Sequence, residues 1–252
     1  MKTGNYNDKA LINKDTYLYY ANTNEEHLTL PVKGIVVEFP GLGGGSCLGG
    51  LLDRGSYSTE YTADFGKNGI LTAYVFPGPW SWGNAGAVRM ADAVIDSLAE
   101  KYALGSNFPV AVCGGSMGGL GALLYAADSK YTVRIAAVAC PCVDVLDRMY
   151  CHPDFPRTYV SAVAAYDKNL EDALKDISPI ARISDMPDTL YFICSNADDE
   201  LFPENQCDLY VEKLMQAGHK VEYHKQPNTQ HGEFLPEVRD RLHDAIKDAI
   251  LK

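Results

Sequence analysis

No apolar run in this 252-residue chain approaches the roughly 20 residues that a membrane-spanning helix needs. Positive charge is also scarce. Twenty-two Lys and Arg face 33 Asp and Glu, for a formal net charge of −11, and the basic residues gather into no stripe. That excludes a nucleic-acid partner, which needs a basic face, and disfavours polyanionic substrates; solubility is a sufficient reason for the charge. The seven cysteines are odd in number and irregularly spaced, and several (Cys113, Cys140, Cys194) sit inside apolar runs. Reduced thiols fit that usage better than a disulfide framework. Residues 1–11 hold Lys2 but no apolar stretch of signal-peptide length, so a cytoplasmic protein with no membrane partner is expected. Internal repeats and low-complexity linkers are absent as well.

What the chain has is alternation. Short β-rich runs occur at 16–20, 34–39, 71–76, 110–113, 135–140, 189–194 and 221–224. Several are continuously apolar, as strands buried on both faces are. Helical patterns lie between them, at 59–68, 87–102, 117–128, 204–217 and 237–251. The alternation predicts an α/β fold: a doubly wound, mostly parallel sheet with helices on both faces, the first strands forming an antiparallel edge. Length and composition suit one domain over 1–252.

One segment breaks the rhythm. About 45 residues separate the run ending at Cys142 from the strand at 189, far more than an ordinary loop. They carry Pro153, Pro156, several aromatic residues and a helical stretch at 169–176. Residues 143–185 are therefore expected to form a small helical cap over the carboxyl ends of the strands, where ligands bind on such sheets. The alternative is a structural excursion that touches no substrate.

The strand at 110–113 runs into Gly114-Gly-Ser116-Met-Gly118 and then into the helical pattern Leu120, Leu123, Leu124, Ala127. A serine at such a strand-to-helix junction has the layout of a nucleophile elbow: a tight turn that thrusts the hydroxyl above the sheet. Side chains two residues to either side would collide, so Gly114 and Gly118 answer a steric demand. A serine there also suits a helix N-cap. What favours the nucleophile is the pair of partners downstream. A serine hydroxyl needs a base, and the base needs an orienting acid, each on a loop after a later strand. After the strand at 189–194 comes Ser-Asn-Ala-Asp-Asp-Glu-Leu-Phe-Pro, and after the strand at 221–224 comes Gln-Pro-Asn-Thr-Gln-His-Gly. These nominate His231 as base and Asp199 as acid, with Asp198 as its competitor; spacing to Pro203 favours Asp199. Acyl transfer also needs backbone donors for the developing oxyanion. The amide of Met117 follows the nucleophile, and the early loop Phe39-Pro-Gly-Leu-Gly-Gly-Gly offers the amide of Leu42.

Phe39-Pro40-Gly41-Leu42-Gly43, Gly114-Gly-Ser116-Met-Gly118, Asp199-Glu-Leu-Phe-Pro203 and His231-Gly232, in that order, resemble the α/β-hydrolase superfamily. Within it the chain is most similar to the prolyl-oligopeptidase-like and esterase branches, over residues 30 to 252. The resemblance implies Ser116 as nucleophile, His231 as base, Asp199 as acid, and Leu42 and Met117 as oxyanion donors. It implies a serine hydrolase acting through an acyl-enzyme, with no metal and no organic cofactor. Two departures stand out: Phe39-Pro40 occupies the place where many relatives carry a histidine, and the sequence has no large access-restricting domain before the hydrolase part. Small carboxylic esters are the expected substrates, short peptides or amides the alternative, and a non-catalytic binding protein the third reading.

Other features carry less. The loop at 41–45 lacks the Gly-Lys-Ser/Thr ending of a P-loop and the G-x-G-x-x-G spacing, which excludes nucleotide binding. Cys140, Cys142, Cys151 and His152 begin with a C-x-C unlike structural zinc spacing, so buried thiols are expected. The only two tryptophans, Trp80 and Trp82, follow a strand and either wall an acyl pocket or pack beneath the cap. Tyr150, Phe155 and Tyr159 of the insertion are further pocket residues. Arg148 and Arg157 either meet a substrate carboxylate or pair with acidic neighbours.

Overall fold

The runs at 35–37, 110–112 and 191–194 are apolar without alternation, and each of their residues is buried. In a computed structural model, which describes residues 11–42 and 56–252, they are the middle strands of a seven-stranded sheet. The strands are β1 (Ala21–Thr23), β2 (Gly34–Phe39), β3 (Ile70–Val75), β4 (Val110–Gly115), β5 (Val133–Ala139), β6 (Leu190–Asn196) and β7 (Lys220–Gln226). Their order is β1-β3-β2-β4-β5-β6-β7, and all neighbours pair in parallel except β1, which runs antiparallel to β3 at the edge.

Both faces are covered, which is why the central strands read as unbroken apolar runs. Ile35, Val37 and Val112 point into one core with helices α2 (Ala85–Lys101), α3 (Met117–Asp128) and α7 (Glu204–Gln216). Val36, Ala111 and Cys113 point into the other, with α1 (Glu60–Lys67) and α8 (Pro236–Leu251). The period of two along each strand thus sorts successive side chains between two hydrophobic layers. The doubly wound α/β architecture expected from the sequence is the one observed, and the five long helical patterns lie within two residues of their observed limits.

One expectation needs correction. The run at 16–20 is not a strand. Tyr17–Tyr19 form a 3-10 turn, and the edge strand begins only at Ala21. Its β-rich tyrosines are overridden by local bonds: the Asp15 amide donates to Asn13 Oδ1 at 2.9 Å, the Asn13 amide to Thr16 Oγ1 at 3.1 Å. Buried Tyr17 then reaches Glu25 with its hydroxyl, 2.5 Å away. The insertion is helical along much of its length. Besides α6 (Leu170–Asp176) it holds α4 (Val145–Cys151) and α5 (Pro156–Val163). Pro156 occupies the first turn of α5, where its missing N–H is no loss.

The strand order changes direction at β2 and β4: from β2 the chain crosses outward to β3, and from β4 to β5 on the other side. Such a switch point opens a crevice at the carboxyl ends of the strands. The loops after β2 and β4 meet there.

Candidate active site

Helix α3 begins at Met117, and Ser116 before it adopts φ +59° and ψ −125°, a region L-residues avoid. The glycines around it show what imposes this turn. A Cβ on Gly114 would lie 2.5 Å from the Gly118 carbonyl oxygen, and a Cβ on Gly118 only 2.1 Å from that of Phe39. Helix α3 thus packs its first turn directly onto β2 and β4. Ser116 stands at the N-cap, yet its side chain makes no capping bond. Its backbone is pinned instead, the amide donating to Ala139 O at 3.0 Å.

The freed hydroxyl lies 2.9 Å from Nε2 of His231, whose Nδ1 lies 2.7 Å from Oδ2 of Asp199. A carboxylate only accepts hydrogen bonds, so the neutral imidazole carries its proton on Nδ1 and leaves Nε2 to accept from the serine. The three side chains come from the loops after β4, β6 and β7, 115 and 32 residues apart in the chain. Asp199 is buried and Asp198 is exposed. The Asp199 carboxylate is held by its second oxygen, which accepts the amides of Leu201 and Phe202, each at 2.9 Å. Asp198 only donates its backbone amide to Thr229 O at 2.9 Å. Of the two aspartates, Asp199 is the one bonded to the imidazole.

Burial by itself pulls the His231 imidazole towards the neutral form. The Asp199 hydrogen bond and the neighbouring Cys140 outweigh it and push its pKa up to about 10. The arrangement therefore favours a positive charge on the ring, the charge that develops when the serine gives up its proton.

Met117 opens α3, so its amide is among those a helix leaves without an internal acceptor. Leu42, in the loop after β2, leans its side chain on the cluster of Trp82, Met117 and Leu120. The Gly115 carbonyl lies 3.8 Å from where a Cβ of Gly41 would be, so this loop passes beside the Ser116 turn. Gly43, Gly44 and Gly45, the rest of the early glycine loop, lie outside the described residues.

The aromatic residues divide. Trp82, Phe155 and Tyr159 are buried and pack on one another; the Trp82 ring is 5.7 Å from Phe155 and 4.5 Å from Tyr159. The Trp82 indole donates to Thr158 Oγ1 at 3.0 Å, and Tyr159 meets Cys142 at 3.3 Å. These three clamp the insertion onto the loop after β3, and with 4% exposure or less they offer no surface to a ligand. As pocket walls they are corrected to packing residues. Trp80 and Tyr150 remain exposed. The Arg148 guanidinium bonds Asp147 and donates to Leu201 O at 3.2 Å, which leaves Arg157 as the exposed arginine of the pair.

Four neighbours of the site escaped the sequence reading. The Phe202 ring stands edge-on to His231 with centroids 5.3 Å apart, and Phe155 stacks behind it at 5.4 Å. Asn196 and Gln226, directly paired in the β6–β7 register, are fully buried amides at the two strand ends. Their positions in register were the available signal. Cys140, which follows β5 with φ +38°, places its sulfur within 4.8 Å of ligand atoms of Asp199 and His231. No sequence spacing announced that.

Comparison with known proteins agrees with this geometry in fold. Puromycin hydrolase superposes with a TM-score of 0.68 at 21% identity, covering 88% of this chain and 34% of its own. An acylaminoacyl peptidase from Pyrococcus horikoshii gives 0.66 at 13% identity, covering 88% of this chain and 37% of its own. A truncated carbohydrate esterase from gut microbiota gives 0.64 at 17% identity, covering 89% and 88%. This chain thus spans about a third of the length of the first two. Among curated protein sequences none matches it. The profile of the prolyl oligopeptidase family does match, over residues 81–248, a span that holds the serine turn, the insertion, and the aspartate and histidine loops; the chain belongs to that family.

Proposed function

We propose that this protein is a serine hydrolase that cleaves small carboxylic esters through an acyl-enzyme. The observation that carries the reading is the unbroken chain from Asp199 Oδ2 to His231 (2.7 Å) and from His231 to Ser116 Oγ (2.9 Å).

Ser116 Oγ attacks the carbonyl carbon as its proton passes to His231 Nε2. Asp199 holds the ring in the required tautomer and balances the imidazolium. The carbonyl electron pair moves onto oxygen, where the amides of Met117 and Leu42 donate to it; one such donor is worth roughly 10²–10³ in rate. Collapse of the tetrahedral intermediate breaks the bond to the leaving oxygen, which takes the proton from Nε2 and departs as an alcohol. Water repeats the sequence on the acyl-serine and releases the acid. Every proton moves among Ser116, substrate, water and one imidazole, so the scheme requires neither metal nor cofactor. Among the described residues no helix is long and apolar enough to cross a membrane. A cytoplasmic enzyme acting on a small, diffusing ester fits the acidic composition.

The ester reading draws support from the carbohydrate esterase, whose length this chain nearly matches. Family membership and the likeness to an acylaminoacyl peptidase favour a second reading, hydrolysis of short peptides or amides by the same three residues. In both readings α4 to α6 are a cap beside the site, with Trp80 and Tyr150 the exposed aromatics available to a substrate. Measuring kcat/KM over p-nitrophenyl esters of rising acyl length, beside aminoacyl p-nitroanilides, separates the two. Ester turnover exceeding anilide turnover across the series supports the first; the reverse order assigns the protein to the second.

A further inference from the structure

Cys140 takes no part in the proton transfers of hydrolysis as proposed, although this thiol adjoins Asp199 and His231. Its backbone is fixed in the left-handed region at φ +38°, with the amide donating to Cys194 O at 2.8 Å. Among the described residues, Cys140, Asp199 and His231 form the one group of three ligating side chains able to hold a metal ion. One ligand atom from each lies within 4.8 Å of the other two. The set weighed from sequence, Cys140, Cys142, Cys151 and His152, does not converge in this way.

We infer that Cys140, Asp199 and His231 form a binding site for a borderline-soft divalent cation of the zinc class, and that zinc held there switches the hydrolase off. The switching rests on the hydrolase reading; the binding rests on the geometry alone.

One sulfur, one imidazole nitrogen and one carboxylate oxygen are the donors zinc accepts, and a thiolate with an imidazole is a poor match for calcium or magnesium. At zinc–ligand lengths of about 2.0–2.3 Å, tetrahedral donors stand about 3.3–3.7 Å apart. His231 Nδ1 and Asp199 Oδ2, now 2.7 Å apart, must open by about 0.6 Å. The sulfur must close by about an ångström at most. Both are side-chain adjustments. The charges suit a buried site too, since a thiolate and a carboxylate together neutralise a divalent ion where an unpaired charge is costly. Cys140 and Asp199 are 3% and 5% exposed, but the His231 side chain is 20% exposed and gives the ion an approach. A fourth position remains for water.

The consequence follows from the proton count. Zinc on Nδ1 takes the place of the proton bonded to Asp199. Starting from the neutral ring that serves as base, the imidazole then carries its proton on Nε2, while the Cys140 thiol gives its proton to solvent, one proton released per ion. Nε2 turns from acceptor into donor, and Ser116 loses its base.

Zinc affinity is best measured by competition with a chromophoric chelator on the Ser116→Ala protein, whose binding owes nothing to turnover. The expected result is one ion per chain with a Kd of about 1 μM or tighter. Adding Cys140→Ser should weaken it at least about 100-fold, because losing a ligand costs more than losing an outer partner. Cys140→Ala provides a second variant should the serine perturb folding, with circular dichroism and thermal unfolding checking both. No saturable binding, or equal affinity with and without Cys140, overturns the site. In a second arm, saturating zinc should slow fluorophosphonate labelling of the wild-type protein at least about tenfold and leave Cys140→Ser labelling unslowed. Zinc that binds without slowing the label overturns the switch. A protein that never takes the label refutes the hydrolase reading instead, and the chelator titration still decides the site.

Discussion

Gln226 donates its side-chain amide to Asn196 Oδ1 at 2.6 Å, joining the carboxyl ends of β6 and β7 beneath the loop that carries His231. The two residues together span that loop. Asn196 Nδ2 donates to the carbonyls of Gln230 and, at 3.0 Å, Glu233, one on each side of His231. Gln226 Oε1 accepts the amide of Leu235 at 2.8 Å. Both side chains are buried, with every polar atom committed to the backbone or to each other. The imidazole is thus held from below by an amide pair, and from one side by Asp199.

Replacing Asn196 with Ala should therefore do two things. It leaves Gln226 and two loop carbonyls without their partner in the interior, at a cost of about 1–3 kcal/mol. It also releases the loop, and a misplaced base lowers kcat by about 10². Urea unfolding gives the first and steady-state kinetics the second. A variant less stable but equal to wild type in kcat would show that the pair supports the fold without positioning His231.

Removing the reacting groups should have graded effects. Ser116→Ala and His231→Ala are each expected to lower kcat by on the order of 10⁶. Asp199→Asn should lower it by about 10⁴, because the ring then loses its tautomer. Asp198→Asn should leave kcat within about threefold of wild type, since only its backbone amide is engaged. A deep loss at 198 with a mild one at 199 would contradict the assignment of the acid.

The pH dependence has a definite sign. His231 acts as base only when neutral, and its neighbours push its pKa up to about 10. The kcat/KM profile of the free enzyme should therefore rise on the alkaline side, with its midpoint well above the ordinary imidazole value of about 6.5. Asp199→Asn and Cys140→Ala each remove one of the groups that raise it, so each should move the limb to lower pH. A wild-type midpoint at or below that of free imidazole is inconsistent with the observed hydrogen bond.

Gly118→Ala should prevent the native turn. The added methyl would stand 2.1 Å from Phe39 O and 2.9 Å from Pro40 O, both backbone atoms that cannot rotate away. Overpacking of this kind costs typically 1–3 kcal/mol and more where backbone must shift. Gly105→Ala is the control, with nothing within 4 Å of the added carbon. Equal denaturation midpoints for the two variants would show that the helix does not press on β2 as described.

Much of this was legible from residue order. Continuous apolar runs marked the buried strands because burial on both faces removes alternation. Gly114, Ser116 and Gly118 marked the turn because its sterics tolerate little else. His231 and Asp199 followed because each loop after a strand ends at the same sheet edge. The missed features have a common cause. Trp82, Phe155 and Tyr159 have the composition of a pocket wall, and only three-dimensional packing turns them inward onto one another. Tyr17 lies in a β-rich run, but the turn made by Asn13 and Thr16 precedes any strand. Cys140 and Phe202 reach His231 across 91 and 29 residues of chain, and no local pattern encodes such meetings. Asn196 and Gln226 are ordinary polar residues until the parallel register sets them side by side.

The central claim is that the hydroxyl of Ser116 is activated by the imidazole of His231, and a fluorophosphonate probe with peptide mapping tests it most directly. The account predicts a single adduct on the peptide carrying Ser116, absent in Ser116→Ala and formed far more slowly in His231→Ala. An adduct that survives Ser116→Ala, or a wild-type protein that stays unlabelled, would contradict it.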